Sequence, residues 1–142
     1  MPVAENVLVD AGPLIALLSA TDHHHAWTME QFGQLEPPLL TCEAVLSEAQ
    51  FLVERGGGEP LDVLAMVKNG VLKVAFRVED EIERLLKLQR AYRNLPMSLA
   101  DACLVRMAEL RKRPQVFTTD SHFAIYRRND RQIIPLLAPP GI

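Results

Sequence analysis

The stretch Val7-Leu8-Val9-Asp10-Ala11-Gly12-Pro13 decides the fold that this sequence predicts. Three consecutive apolar residues, two of them β-branched, are typical of a short strand buried on both faces. The Gly-Pro pair ends that strand. Asp10 therefore follows the carboxyl end of a buried strand, where α/β sheets place their ligands. Because surface turns also use aspartate for local hydrogen bonds, Asp10 indicates a site only if other acids lie close to it.

Length and composition predict one globular domain over residues 1–142. The chain is 49% hydrophobic and 23% charged, which excludes a disordered protein. No basic start of a signal peptide is visible, and the weakly polar run at residues 11–20 is too short to span a bilayer. Cys42 and Cys103 lack the spacing of a zinc site, so we interpret them as reduced core residues. We therefore expect a cytoplasmic protein without a membrane contact.

Charge is distributed unevenly along the chain, whose net charge is −3. Residues 1–83 carry 14 acidic and 4 basic side chains, whereas residues 84–142 carry 11 basic and 4 acidic ones. Such asymmetry can mark a face that binds a polyanion. It is equally compatible with a solvated helix surface or an interface with an acidic partner, and both alternatives stay open at this point.

Strands and helices alternate along the chain. Apolar runs predict strands at residues 7–9, 39–41, 71–76, 116–118 and 132–136. Helical periodicity predicts helices at 13–19, from a cap at Asp22 to about 35, from a cap at Thr41 to about 54, and at 60–69, 79–93, 99–110 and 122–126. In the helix at 79–93, we expect an inward stripe of Ile82, Leu85, Leu86 and Leu88. The alternation predicts an α/β fold with a mostly parallel sheet and right-handed crossovers.

Three further acids occupy unusual positions. Glu48 lies in the apolar stripe of the third predicted helix, whereas Glu43 lies on its polar face. A carboxylate within an apolar stripe is costly unless something pairs with it, so Glu48 is the exceptional residue of the two. Asp101 has a structural interpretation, because Ser98 and Asp101 match a capping box, but Asp101 also points along a buried face. Asp120 directly follows the fourth predicted strand.

Four carboxylates in one crevice would require a cation. If the first and fourth strands are neighbours, Asp10 and Asp120 share one end of the sheet, and two helices can bring Glu48 and Asp101 to it. Such carboxylates repel one another when the site is empty. Mg²⁺ or Mn²⁺ prefers oxygen ligands and binds phosphates, and two such ions would clamp a phosphodiester. The adjacent histidines at 23–25 do not share a helix face, so we interpret them as a solvated turn.

The segments that carry these acids are Val-Asp10-Ala-Gly-Pro-Leu, Thr41-x6-Glu48, Leu-Ala-Asp101-Ala and Thr-Thr-Asp120-Ser-His-Phe. In order and spacing, they resemble the motifs of PIN-domain ribonucleases, and among these the VapC toxins of bacterial toxin–antitoxin pairs. The resemblance extends from residue 7 to about residue 136. One departure is visible, because many members have a hydroxyl or amide residue where this chain has Gly12. Thr118 or Thr119 is a candidate replacement for that contact.

The resemblance implies a three-layer α/β/α sandwich with a mostly parallel central sheet of four to five strands. It implies a Mg²⁺- or Mn²⁺-dependent endoribonuclease that acts as the toxin of a type II pair. Asp10 and Asp101 would hold the principal ion, Asp120 would complete that site or hold a second ion, and Glu48 would orient the attacking water. All four are thus candidate catalytic and metal-binding residues. The implied partners are RNA, a cognate antitoxin and a second copy of the chain in a homodimer.

Two other interpretations compete with the nuclease. A non-catalytic RNA-binding or assembly module on the same fold would have no use for all four acids, so their presence argues against it. A receiver-like phosphotransfer domain needs an acid pair before its first aspartate and a lysine after a later strand, and this sequence has neither. In the nuclease, the arginines within residues 84–142 are candidates for phosphate contacts.

Overall fold

A computed structural model describes residues 6–142. Its strands are β1 (Asn6–Val9), β2 (Leu39–Thr41), β3 (Leu72–Val74), β4 (Pro114–Phe117), β5 (Arg127–Arg128), β6 (Gln132–Ile133) and β7 (Leu136–Leu137). Its α-helices are α1 (Ala11–Leu18), α2 (His25–Gln34), α3 (Glu43–Arg55), α4 (Leu61–Lys68), α5 (Ile82–Ala91) and α6 (Leu99–Glu109). Short 3₁₀ turns lie at Glu79–Glu81 and Ser121–Ala124. Within residues 6–142, none of the helices combines the length and the apolar character needed to cross a membrane.

Five strands form one parallel sheet in the order β3-β2-β1-β4-β7. The strand β1 is central, with Leu8 opposite Leu40 of β2 and Val9 opposite Phe117 of β4. Because neighbouring strands run in the same direction, their carboxyl ends meet at one edge of the sheet. The segments that follow β1 and β4 therefore lie side by side at this edge.

Helices cover both faces of the sheet. Val116 and Phe117 are consecutive in β4 and point to opposite faces, yet both are fully buried. On the Phe117 face, the rings of Trp27 and Phe32 in α2 lie 5.6 and 5.3 Å from the Phe117 ring, measured between centroids. The helix α6 packs against β1 and β4. The predicted three-layer α/β/α sandwich with a parallel central sheet is confirmed.

The core is built around α6, the helix with the most buried residues among those given above. Eight of its eleven residues are buried, including Cys103, and Cys42 at the start of α3 is also a buried free cysteine. This burial agrees with the interpretation of both cysteines as core residues. The buried acid within α6 is Asp101, which is 7% exposed.

Several helix predictions need correction. Asp22 does not cap α2, which begins at His25 after His24 without a side-chain cap, because the Asp22 carboxylate accepts the N–H of His24 at 2.8 Å. The segment predicted as a helix at 122–126 forms only the 3₁₀ turn at Ser121–Ala124.

The cap of α3 and the helix predicted at 79–93 also differ from the prediction. Thr41 does not cap α3, which begins after Cys42 without a side-chain cap, because the Thr41 hydroxyl donates to the carbonyl of Val9 at 3.2 Å. The helix predicted at 79–93 starts with a 3₁₀ turn and ends at Ala91. The expected inward stripe is also narrower than predicted. Leu85 and Leu88 are buried, whereas Ile82 and Leu86 are 45% and 41% exposed.

The strand predicted at 132–136 is in fact two strands with different partners. The strand β6 pairs antiparallel with β5 in a separate hairpin, whereas β7 joins the main sheet beside β4. Pro135 lies between them, and its carbonyl accepts a hydrogen bond from the N–H of Val116 at 2.9 Å. Because proline has no N–H, Pro135 can accept a hydrogen bond from β4 but cannot donate one. The paired strand β7 begins with the next residue, Leu136.

Candidate metal centre

Asp10 is fixed where β1 ends and α1 begins. One carboxylate oxygen accepts the N–H of Ala11 at 2.8 Å and so caps α1. The other accepts the hydroxyl of Thr118 at 2.8 Å. The backbone N–H of Asp10 donates to the carbonyl of Phe117 at 2.9 Å. The side chain is therefore held between two neighbouring strands and is only 5% exposed.

Asp101 is positioned by the start of α6. The hydroxyl of Ser98 accepts the N–H of Asp101 at 3.0 Å, and Oδ2 of Asp101 accepts the N–H of Ser98 at 3.1 Å, which completes the predicted capping box. The hydroxyl of the fully buried Tyr126 donates to the same Oδ2 at 3.3 Å. Both hydrogen bonds to the carboxylate fall on Oδ2, and no residue among 6–142 donates a hydrogen bond to Oδ1.

Asp120 is connected to Asp10 through Thr118. The Thr118 hydroxyl donates to Asp10, as described above, and accepts the N–H of Asp120 at 2.9 Å. Oδ1 of Asp120 accepts the N–H of His122 at 2.9 Å and lies 3.1 Å from Nδ1 of the His122 ring. Thr118 is fully buried, so one hydroxyl fixes the Asp10 carboxylate relative to the backbone of Asp120.

The structure brings the four predicted acids to one cavity of about 300 Å³. Carboxylate oxygens of Asp10, Asp101 and Asp120 lie within 4.8 Å of one another. Glu48 contributes to the wall of the same cavity but not to this compact group. Neither lysine nor arginine lines the cavity within the described part of the chain. The carboxylates therefore have no lysine or arginine beside them in the cavity, and the imidazole that lines it is that of His122, in contact with Asp120.

The surroundings make these carboxyl groups hard to ionise. The pKa of Asp10 is raised from 3.8 to about 7, mainly by burial. The hydrogen bonds from Thr118 and Ala11 lower this pKa, whereas the charges of Asp101 and Glu48 raise it further. Burial is also the main cause of the raised pKa of Asp101. The hydrogen bond from the Ser98 N–H lowers this pKa, and the charge of Asp120 raises it further. The pKa of Glu48 is raised by burial and then by Asp101 and Asp120. A bound cation would oppose all three shifts.

The donor set fits a hard divalent cation. The three clustered groups are all carboxylates, without a thiolate or an imidazole among them. Oxygen-only ligands are typical of Mg²⁺ and Mn²⁺, whereas zinc sites usually include nitrogen or sulfur. Because burial makes ionisation of Asp10 unfavourable, a divalent cation that stabilises its carboxylate would bind favourably in the cavity.

The position of Glu48 agrees with the helix-face argument. Glu48 is half-buried and lines the cavity, whereas Glu43 on the same helix is exposed. Sequence reasoning missed Tyr126, whose contact with Asp101 joins residues 25 positions apart. The only signal in the sequence was a tyrosine in the apolar segment after Asp120, which does not identify its hydrogen-bond partner.

Several arginines within residues 84–142 have structural roles. Arg84 forms two hydrogen bonds with Glu109, at 2.8 and 2.6 Å, and Arg106 binds Glu81 at 2.7 Å. The Glu109 side chain is only 1% exposed, so these pairs hold α5 and α6 together. Arg127 donates to three backbone carbonyls. These arginines are therefore not available for phosphate contacts, and only other basic side chains of residues 84–142 remain candidates for them.

Comparisons with known proteins agree with this geometry. The PIN domain family model matches residues 7–129, a range that includes all four acids. Among solved structures, the chain is similar to Mycobacterium tuberculosis VapC20, which is described as a toxin that cleaves the sarcin–ricin loop. The TM-score is 0.76 at 20% identity, over 84% of this chain and 94% of that one. At this identity, the similarity shows a shared fold. No curated protein sequence gives a significant match.

Proposed function

Because this chain belongs to the PIN domain family, we propose that it is a Mg²⁺- or Mn²⁺-dependent endoribonuclease that hydrolyses RNA phosphodiester bonds. The observation that carries the proposal is the cavity at the carboxyl edge of the sheet. Four carboxylates line it, three of them with oxygens within 4.8 Å of one another, and neither lysine nor arginine of the described residues lines it. Such a cavity repels an RNA phosphate unless a cation lies between them.

Asp10, Asp101 and Asp120 would hold the ion. When bound, it supplies positive charge to the phosphate in the transition state and lowers the pKa of the attacking water. The protein supplies the geometry around this position. Thr118 fixes Asp10 relative to Asp120, and the contacts of Ser98 and Tyr126 to Oδ2 of Asp101 leave its Oδ1 available as a ligand.

Glu48 would act on the attacking water. It lies on the cavity wall outside the compact group of three carboxylates, so its oxygens can accept a hydrogen bond from a water beside the phosphate. Burial and the charges of Asp101 and Asp120 raise the pKa of Glu48, which makes its carboxylate a stronger proton acceptor. We assign to Glu48 the orientation of this water for in-line attack.

We further propose that the chain is the toxin of a type II toxin–antitoxin pair, inhibited by a cognate antitoxin and active as a homodimer. The similarity of the fold to VapC20, a protein described as a toxin, supports this assignment. The sequence resemblance to VapC toxins over nearly the whole chain supports it independently of the structure.

Cleavage of total bacterial RNA by the purified chain tests the proposed activity. We expect cleavage that requires Mg²⁺ or Mn²⁺, stops with EDTA and falls to background in Asp101→Asn. Total RNA includes ribosomal and transfer RNA, so a selective enzyme gives discrete products. Glu43→Gln is the matched control, because Glu43 is exposed and lies outside the cavity. A protein that binds RNA but does not cut it over a range of both ions would instead be a non-catalytic RNA-binding module.

A further inference from the structure

The hydroxyl of Thr119 occupies the space that a side chain at position 12 would need. A Cβ atom at Gly12 would lie 2.2 Å from Oγ1 of Thr119, which is far inside contact distance. Gly12 belongs to the first turn of α1, whereas Thr119 lies two residues after β4, so the two meet only in the folded chain. Position 12 must be glycine for the Thr119 hydroxyl to lie here.

Thr119 and Thr118 have different hydrogen-bonding roles. The Thr118 hydroxyl is fully used, since it donates to Asp10 and accepts from the N–H of Asp120. The Thr119 hydroxyl forms no hydrogen bond with any residue among 6–142, although it lies beside the acids in the wall of the cavity. An O–H group in such a position has a proton to donate to a ligand.

The Thr119 hydroxyl is a hydrogen-bond donor in a cavity whose wall contains four carboxylates. The carboxylates of Asp10, Glu48, Asp101 and Asp120 are hydrogen-bond acceptors when ionised. A phosphate that enters this cavity needs donors for its non-bridging oxygens in addition to a cation. A neutral hydroxyl supplies one without adding charge.

We propose that the Thr119 hydroxyl donates a hydrogen bond to a non-bridging oxygen of the scissile phosphate, and that Gly12 makes room for it. This inference rests on the proposed nuclease function, since it assumes that an RNA phosphate binds in the cavity. It assigns to Thr119 a direct contact with the substrate, and to Gly12 a positioning role that acts through Thr119.

Thr119→Val tests the hydroxyl, because valine keeps the branched shape and removes the donor. We expect cleavage of total RNA with Mn²⁺ to fall about tenfold or more, as is typical when a hydrogen bond to a charged group is removed. Thr119→Ser, which keeps the hydroxyl, should remain within about threefold of the wild type on the same basis. The melting temperature and the Mn²⁺ affinity from titration calorimetry should not change in either variant. Cleavage by Thr119→Val at the wild-type rate would overturn the inference.

A second measurement does not depend on cleavage. Inorganic phosphate is titrated onto Mn²⁺-loaded protein, and binding is followed by the broadening of the ³¹P resonance near the paramagnetic ion. We expect Thr119→Val to weaken phosphate binding about tenfold relative to Thr119→Ser. Equal phosphate affinity in the two variants would overturn the inference. A wild-type chain that cleaves no RNA would contradict the proposed function, whereas an unchanged Thr119→Val in an active enzyme contradicts only the role of Thr119.

A double-mutant cycle tests the role of Gly12. Gly12→Ala should displace the Thr119 hydroxyl and lower cleavage in the wild-type background. The same change should cost nothing further when Thr119 is already alanine, since both substitutions remove the same interaction. Thermal melting of each variant separates this effect from loss of folding. Equal losses from Gly12→Ala in both backgrounds would show that Gly12 acts independently of Thr119 and would overturn its positioning role.

Discussion

At the scale of the residue, Asp10 serves the fold and the candidate site together. Its carboxylate caps α1, accepts the Thr118 hydroxyl and lies in the group of three acids. The hydrogen bonds stabilise the ionised form, but burial opposes it more strongly, and the pKa rises to about 7. The metal-free protein therefore keeps an acid in a place where its charge is unfavourable.

The raised pKa of Asp10 predicts how stability depends on pH without metal. The folded chain keeps the Asp10 proton up to about pH 7, whereas the unfolded chain loses it near 3.8. The unfolded state thus binds fewer protons between these values, and the free energy of unfolding should fall as the pH rises through this window. Asp10→Asn should flatten the slope and raise stability at pH 8 by up to a few kcal/mol.

Denaturant melts of both proteins at pH 5 and pH 8 in EDTA measure this difference. Adding Mn²⁺ at pH 8 should restore the stability of the wild type and have little effect on Asp10→Asn. A variant that is less stable than the wild type at both pH values would show that Asp10 is needed mainly as a structural cap.

Glu48 and Glu43 form a natural pair for testing the helix-face assignment. Glu48→Gln should lower RNA cleavage by about 100-fold, the lower limit of typical effects for a group that assists proton transfer. Glu43→Gln should leave the rate unchanged, because Glu43 is exposed outside the cavity. Initial rates on total RNA with Mn²⁺ provide the comparison. An inactive Glu43→Gln beside an active Glu48→Gln would reverse the assignment.

At the scale of the element, the start of α6 connects helix stability with the metal site. Ser98 and Asp101 form a reciprocal capping box, and Oδ2 of Asp101 is the oxygen used in it. The first turn of the most buried helix thus carries a carboxylate whose orientation is set before any ligand binds. The structural and the functional interpretations of Asp101 are therefore compatible.

Ser98→Ala should therefore have two effects. Loss of the cap should lower the free energy of unfolding by about 1 kcal/mol. Loss of the Ser98 hydroxyl should also loosen the first turn that orients Asp101 and weaken Mn²⁺ binding, with Ser98→Thr retaining both properties. Chemical denaturation and titration calorimetry measure the two quantities separately. Lower stability with unchanged Mn²⁺ affinity would mean that the cap does not orient the ligand.

At the scale of the whole molecule, the basic side chains of residues 84–142 are of two kinds, those paired with acids inside the fold and those exposed to solvent. Arg84 of α5 is paired with Glu109 of α6, and Arg106 of α6 is paired with Glu81 in the 3₁₀ turn before α5. The side chains of Lys87, Arg90 and Arg93, on α5 and just after it, are exposed. They precede Pro96 and Ser98, which line the cavity, so the end of α5 leads towards the site. These exposed groups are the better candidates for RNA phosphate contacts.

Replacing Arg90 and Arg93 together by alanine should weaken RNA binding and reduce its dependence on salt. Removing one arginine that binds a phosphate should lower the slope of log affinity against log salt by about one. Fluorescence anisotropy with labelled single-stranded RNA in EDTA measures binding without cleavage. Lys112→Ala is the control, because Lys112 is exposed in the same basic half but follows the far end of α6. An unchanged slope would assign the two arginines to another partner, such as an acidic protein segment.

What the sequence determined by itself is local. A β-branched apolar run and a capping box define β1 and the start of α6, because each depends on residues close together in the chain. The Gly-Pro pair was predicted to end β1, but it lies in the first turn of α1 after the strand has ended at Val9. The same kind of reasoning separated Glu48 from Glu43, since helix periodicity relates neighbours three and four positions apart. The parallel sandwich followed from the alternation of these elements.

Only the tertiary structure decided which distant residues meet. The division of the last strand depends on which neighbours Gln132–Ile133 and Leu136–Leu137 find, and the pairing of arginines with Glu109 depends on the packing of two helices. The contact of Tyr126 with Asp101 and the fit of Thr119 over Gly12 join separate elements at atomic distance. Such contacts depend on packing and direction in three dimensions, and no periodicity along a single chain encodes them.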